Sequence, residues 1–211
     1  LKKYIQMSQD LNKQSLKEAI AYLSKTDPDF RKVIKERNKQ IILFKRPSGF
    51  EGLINLIVEQ QLSVASAAAI FKRLKKSIVP FSPKKFSLLE KDIFKLAGLS
   101  QQKIDYCKGI SEACLSGTLD FKVLETMTNI EVEQELVKLK GVGQWTAQCY
   151  LLGCMSRIDA WPSSDLGLQV AIKKLKNLKV RPEKLTTEKI AEPWKPFRAV
   201  AALILWSTYD K

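Results

Sequence analysis

Residues 139–148 read LKGVGQWTAQ, in which Gly141 and Gly143 flank one valine and Trp145 and Thr146 follow closely. Apolar residues at helical spacing lie on both sides, which predicts a helix ending at Leu139, a Gly-x-Gly turn and a second helix starting near Gln144. Two readings are open. The turn is a plain connection, or it is a place where glycine lets a large group approach the backbone. In the second reading, the N–H groups of the first turn and the positive end of the helix dipole make an anion site that suits a phosphate. Thr146 would add a hydroxyl donor there. Asp165 comes twenty residues after Trp145, follows Ser163 and Ser164, and opens another helix. As an N-cap it would be worth about 1 kcal/mol. As an ionised carboxylate in a pocket beside such a turn, it could instead stabilise a cationic sugar or orient water.

The rest of the composition narrows the chemistry. There is no histidine, which excludes Ser-His and Cys-His catalysis and any histidine acid, base or zinc ligand. The cysteines, Cys107, Cys114, Cys149 and Cys154, form no C-x-x-C pair and sit in apolar helical contexts, so buried reduced thiols are expected rather than a zinc ribbon. Lysine and arginine number 36 against 22 acidic residues, a net charge of +14, which favours a polyanionic partner such as nucleic acid. The longest apolar run, Ala199 to Trp206, is too short to span a bilayer. The opening LKKYIQMSQDLNKQ has no apolar core of signal-peptide length. An intracellular protein with no membrane association is expected, in cytoplasm or nucleoid, or in the nucleus if eukaryotic.

These residues must be positioned by helices, because the chain reads as helix after helix. SLKEAIAYL opens with Ser15 and Glu18 as a capping box, and Asp27-Pro28 breaks that helix. In DFRKVIKER, Phe30, Val33, Ile34 and Arg37 fall at helical spacing. IILFKRPSGF reads as a short extended piece. Leu53, Ile54, Ile57 and Val58 stripe one helix, and Ala67, Ala68, Ile70, Phe71 and Leu74 stripe the next, with Ser63 as N-cap between them. Ser82-Pro83 opens a further segment that ends before Gly98, and Gly117 closes the helix after it. Thr128 and Glu131 make a capping box on the helix that runs into the glycines. A polar loop with Trp161 and Pro162 leads to Asp165, and FRAVAALILW, apolar nearly all round, should be a central buried helix. The class is all-α.

Five blocks, in order, together resemble the helix-hairpin-helix DNA glycosylases, specifically the 3-methyladenine DNA glycosylase II (AlkA-like) group. They are LIVEQQLSVASAAAIFKRL (56–74), GLSQQKIDYCKGISEA (98–113), LKGVGQWTAQCYLLGC (139–154), DAWPSSDLGLQVAIKKL (159–175) and WKPFRAVAALILW (194–206). The resemblance implies a two-lobed helical fold with a cleft between the lobes. One lobe would take residues 1–55 plus 177–211. The other would take 56–176, with the hairpin at about 133–155 and the catalytic aspartate at its edge.

By position, the resemblance makes Asp165 the catalytic aspartate. Trp145 and Trp206 fall in the base pocket, and Gln61 is the wedge that fills the duplex. Ser63, Gly141, Gly143, Gln144 and Thr146 complete the DNA-binding set. The implied activity is hydrolysis of the N-glycosidic bond of alkylated bases in double-stranded DNA by base flipping, with Asp165 stabilising an oxocarbenium-like transition state. The implied enzyme is a monomer. Bifunctional relatives carry a lysine at the position of Trp145, so no strong lyase activity is expected. No cofactor or metal is required, and nothing after Cys154 supplies an iron–sulfur cluster. The family hairpin can also bind a monovalent cation through backbone carbonyls. The rival readings are a glycosylase for deaminated or oxidised bases, a helix-hairpin-helix module that binds DNA without cutting it, and an RNA-binding helical protein.

Overall fold

A computed structural model describes residues 10–36, 41 and 43–209; among them the chain is all-α, with no strand and one isolated antiparallel bridge between Asp10 and Arg157. Arg37 lies outside the described residues, as does most of the opening stretch. The chain divides into two compact units, one drawn from residues 1–45 and 151–211 and the other from 46–150. These divisions differ from 55/56 and 176/177. The helix after Pro47 belongs whole to the second unit. The segment bearing Asp165 belongs to the first, because its helix packs on the last helix of the chain.

In the first unit, α1 (Lys13–Thr26) and α2 (Pro28–Glu36) meet at Asp27, and α11 (Leu166–Leu175), α12 (Lys184–Ala191) and α13 (Arg198–Tyr209) complete it. The apolar run of α13 explains its place: Ala199 through Leu205 are all buried, with α1 and α11 against it. The capping box of α1 is Asn12 with Ser15, earlier than expected, and Glu18 accepts instead from Gln14. The loop before α11 is no polar connection. Ile158, Ala160 and Trp161 are buried in it, and Trp161 stands edge-on to buried Trp194 at 5.5 Å.

In the second unit, α3 (Gly49–Glu59) is the central element, buried from Phe50 and from Gly52 to Val58. Phe50 of α3 joins Phe81, Phe86 and Phe94 in a cluster of rings, edge-to-face at Phe50–Phe86 and Phe81–Phe86 and tilted at Phe50–Phe81 and Phe86–Phe94. On α4 (Val64–Ser77) only Ala67 and Leu74 are buried; Ala68 is exposed, so the packed stripe is narrower than its apolar pattern. The segment after Ser82-Pro83 is two helices, α5 (Pro83–Leu88) and α6 (Lys91–Ala97), the second closed by Gly98. Then come α7 (Gln101–Leu115), α8 (Phe121–Thr126), α9 (Asn129–Leu136) and, as far as Tyr150, α10 (Gln144–Gly153). The Thr128–Glu131 capping box of α9 is present. Residues 41 and 43–48 pair with no strand, and Gly49 and Phe50 begin α3.

Candidate functional site

The hairpin is longer than its sequence pattern. Helix α9 ends at Leu136 rather than Leu139, and the chain turns through 137–143 before α10 begins at Gln144. Buried Val142 plugs the turn, with its N–H donating to Leu139 O at 3.0 Å. The two glycines are not equivalent. Gly141 has φ +91°, and a Cβ there would lie 2.2 Å from Cγ of Tyr106, so the Tyr106 ring lies directly against the turn. Gly143 is exposed, lacks that conformation, and a Cβ on it would meet nothing within 4 Å. Gly141 thus serves packing, whereas Gly143 leaves its backbone open to approach.

Behind the turn, Glu133 of α9 accepts hydrogen bonds from the side chains of Gln144 and, at 3.1 Å, Gln148. Gln144 therefore directs its amide back onto α9. Thr146 is only 2% exposed, and its Oγ1 accepts from Gln60 Nε2 at 2.9 Å. Its hydroxyl is not presented at the hairpin surface as expected, because residue 146 lies on the inward side of α10. Trp145 is half-buried in the first turn of α10.

The stretch joining α3 to α4 meets the hairpin within this unit. Gln60 caps α3, and its amide also donates to Gly141 O at 2.9 Å. Exposed Gln61 has φ +55°, a left-handed backbone that costs a non-glycine residue about 1–2 kcal/mol. Leu62 and Val64 are exposed beside it, Val64 to 84%. Ser63 is the N-cap of α4, as predicted, accepting from Ser66 N at 3.2 Å. Lys103 on α7 donates to the carbonyls of Val58 at 2.7 Å and Gln60 at 2.6 Å. Burial pushes its ammonium below the ordinary lysine value. A groove of about 550 Å³ runs between Gln61, Lys103 and Tyr106 on one side and hairpin residues 137–143 on the other. Gln60, Lys103 and Tyr106 were missed from sequence. Lys103 and Tyr106 carry no signal that separates them from other residues of an amphipathic helix.

In the first unit, Asp165 is half-buried and is the N-cap of α11. Its Oδ1 accepts from Leu168 N at 2.8 Å and from the indole Nε1 of Trp206 at 2.9 Å. The carboxylate thus caps the helix and is held by two directed donors, one from its own helix and one from α13. Trp206 is half-buried, with the Phe44 ring 5.6 Å away at 51°. The loop carrying Asp165 is fixed at several points. Ser163 donates to Glu188 at 3.0 Å, and Gln169 donates to Ser163 O at 3.2 Å. Asp159 accepts from Arg198 through both carboxylate oxygens, at 2.8 and 2.7 Å. The far end of α11 is tied by Lys176, whose ammonium reaches Asp27 at 2.7 Å and Asp29 at 2.8 Å, while Trp194 Nε1 donates to Asp27 at 2.8 Å.

Asp165 and Trp206 are thus brought together in one unit, and Gln61, Ser63, Gly141, Gly143, Gln144, Trp145 and Thr146 belong to the other. All four cysteines are free thiols; Cys107, Cys149 and Cys154 are buried and Cys114 half-buried. Burial raises Cys107 to about 12 and Cys114 to about 11, which keeps both protonated. Among the described residues, no group of three or more Cys, Asp or Glu side chains is arranged to hold a metal ion.

Residues 54–196 match the model of the HhH-GPD superfamily base excision DNA repair proteins. DNA-3-methyladenine glycosylase 1 of Schizosaccharomyces pombe is 32% identical over 92% of this chain and 88% of its own length. The solved structure of the Schizosaccharomyces pombe 3-methyladenine DNA glycosylase in complex with abasic DNA superposes with a TM-score of 0.81 at 29% identity, covering 92% of this chain and 97% of that one. That of the DNA-3-methyladenine glycosidase from Bacillus halodurans gives 0.78 at 30% identity, covering 90% and 88%. With more than half of its length matched by the family model and a solved relative of the same helical build, the chain belongs to the HhH-GPD superfamily of base excision DNA repair proteins.

Proposed function

We propose that the chain is a DNA glycosylase that hydrolyses the N-glycosidic bond of alkylated bases of the 3-methyladenine type in duplex DNA, as a monofunctional, monomeric enzyme of the glycosylase II kind. The observation that carries this reading is the Asp165 carboxyl group, held at a helix N-terminus by the Leu168 amide and the Trp206 indole in a chain without histidine. The similarity to relatives named for 3-methyladenine supports the substrate class.

Alkylation on a ring nitrogen places positive charge on the base, so the base leaves readily without strong acid catalysis. As the C1′–N bond lengthens, positive charge grows on the sugar, and the Asp165 carboxylate stabilises it. Water adds to C1′, its proton is lost, and the electron pair of the broken bond departs with the base. Trp145 and Trp206 stack on the extruded ring, where attraction of a cation to an aromatic face is worth roughly 0.5–2 kcal/mol. A normal base lacks that gain, and flipping it costs a few kcal/mol. The backbone at Gly141, Gly143, Gln144 and Thr146 grips a phosphate, Gln61 fills the vacated stack, and Ser63 supports that turn. Trp145 offers no amine to form a Schiff base with the sugar.

Asp165→Asn is the test. Release of 3-methyladenine from methylated duplex DNA should fall at least a hundredfold with folding unchanged. Release at the wild-type rate would remove Asp165 from the mechanism. Borohydride should trap no covalent protein–DNA adduct. A panel of duplexes with deaminated or oxidised bases separates alkyl-base preference from the rival substrates, and DNA binding with no abasic product would mean a non-catalytic module.

A further inference from the structure

Helix α3 ends at Glu59 with Gln60 as its C-cap, and the carbonyls of its last turn need partners from beyond the helix. Lys103 satisfies two of them, those of Val58 and Gln60, and its charge suits the negative end of the helix dipole. The next residue, Gln61, is held in a left-handed conformation that asparagine or glycine would adopt more easily. Such strain persists only where surrounding contacts over-determine it.

Those contacts form a closed circuit of three elements. Gln60 gives its backbone carbonyl to Lys103 and uses its side-chain amide twice, on Gly141 O and on Thr146 Oγ1, both at 2.9 Å. One helical turn beyond Lys103, Tyr106 lays its ring against Gly141. Helix α7 therefore touches the end of α3 through Lys103 and the hairpin through Tyr106, while Gln60 joins the end of α3 to the hairpin directly. Fixing three elements by three mutual contacts leaves no soft hinge between the Gln61 turn and the Gly143 backbone.

We propose that Gln60 and Lys103 are positioning residues that hold the Gln61 turn rigidly against the hairpin, so that base extrusion from a paired duplex depends on them while excision of an already unpaired base does not. The proposal rests on the glycosylase reading above. A residue pushed into a base stack meets resistance, and it can press on the stack only if it is braced against the part of the protein that grips the backbone. Without the brace, the turn relaxes and less of the binding energy goes into opening the pair. An unpaired lesion presents no such load.

The experiment compares single-turnover base release from two duplexes of one sequence, with the alkylated base paired in one and opposite an abasic site in the other. The variants are Gln60→Leu and Lys103→Met, with Lys103→Arg as the conservative control. For each variant, release from the paired duplex should fall tenfold or more, release from the unpaired one should stay within about twofold, and Lys103→Arg should recover most of the loss. Both rates come from one preparation, so their ratio is independent of the folded fraction. Equal losses on the two duplexes, or no loss on the paired one, would overturn the proposal. Failure of the wild-type protein to release base from either duplex would instead overturn the glycosylase reading.

Discussion

Substituting the two hairpin glycines separately should split stability from DNA binding. In Gly141→Ala the new methyl would sit 2.2, 2.3 and 2.7 Å from three ring carbons of Tyr106, so ring or turn must give way by about 1 Å. Over-packing of that kind costs roughly 1–3 kcal/mol. Holding alanine at φ +91° adds roughly 1–2 kcal/mol. Together they predict a loss of about 2–5 kcal/mol, or roughly 4–20 °C in Tm for a chain of this length. Gly143→Ala meets no atom within 4 Å and needs no left-handed backbone, so its stability should stay within about 0.5 kcal/mol of wild type. Its affinity for duplex DNA should nevertheless drop about tenfold, because the methyl occupies the space a phosphate would enter. Urea unfolding measures the first quantity, and fluorescence anisotropy with a labelled duplex the second. Adding Tyr106→Ala to Gly141→Ala should return only the steric part, a coupling of roughly 1–3 kcal/mol. The reasoning fails if Gly143→Ala loses as much stability as Gly141→Ala, or if it binds DNA as wild type does.

Other expectations follow from the first unit and the thiols. Trp206→Phe keeps an aromatic ring but removes the donor to Asp165 Oδ1. A hydrogen bond to a charged group is worth about 1.5–3 kcal/mol, so the single-turnover rate should fall roughly ten- to a hundredfold, and the change should be nearly silent in an Asp165→Asn background. Lys176→Met leaves buried Asp27 without its cation and should cost about 3 kcal/mol in urea unfolding near neutral pH. Burial works to raise Asp27 above its usual 3.8, but hydrogen bonds from Lys176 and Trp194 outweigh it and lower the carboxyl; its stabilisation is present above that pH and is lost as pH falls through the lowered native value. Burial works to lower Lys176 below 10.5, but Asp27 and Asp29 outweigh it and raise the ammonium; its stabilisation is present below that pH and is lost as pH rises through the raised native value. The gap between Lys176→Met and wild type should therefore close at both extremes in a pH series of melts. Cys107, with its thiol near 12, should resist iodoacetamide at pH 8 in the folded protein and react after urea unfolding.

The helices were legible where local rules suffice. The Ser63 and Ser82 caps and the Thr128–Glu131 box follow from short-range hydrogen bonding, and the burial of α13 follows from an apolar run with no polar face. The cap of α1 was misplaced because Asn12 and Ser15 are both good N-terminal residues, and only the fold chooses between them. The candidate site was half legible. Asp165 could be read as an N-cap from its position before a helix, but its indole donor lies 41 residues later in the chain. The inward turn of Thr146 and the bracing role of Gln60 depend on partners 86 and 81 residues apart, which no periodicity encodes. Glutamine repeats look alike in sequence. Here Gln60 faces the hairpin and Gln61 faces solvent because the backbone reverses hand between them.

Helix α13 is fastened to the Asp165 loop at two places, Arg198 to Asp159 and Trp206 to Asp165. The fasteners are eight residues apart on the helix, about 12 Å of axial rise, and six apart on the loop. The helix thus acts as a ruler for the loop. One residue inserted between Arg198 and Trp206 would advance the indole by about 1.5 Å and turn it by about 100°, and would release one fastener or the other. Length in this stretch is therefore under tighter constraint than side-chain identity. Many apolar substitutions can preserve a buried helix face, but no single insertion preserves both spacings. Relatives that depend on the same aspartate and both fasteners should vary freely among small and aliphatic residues here and hold the count unchanged. That makes the paired interval a marker by which shared chemistry can be looked for in chains too divergent to align by identity.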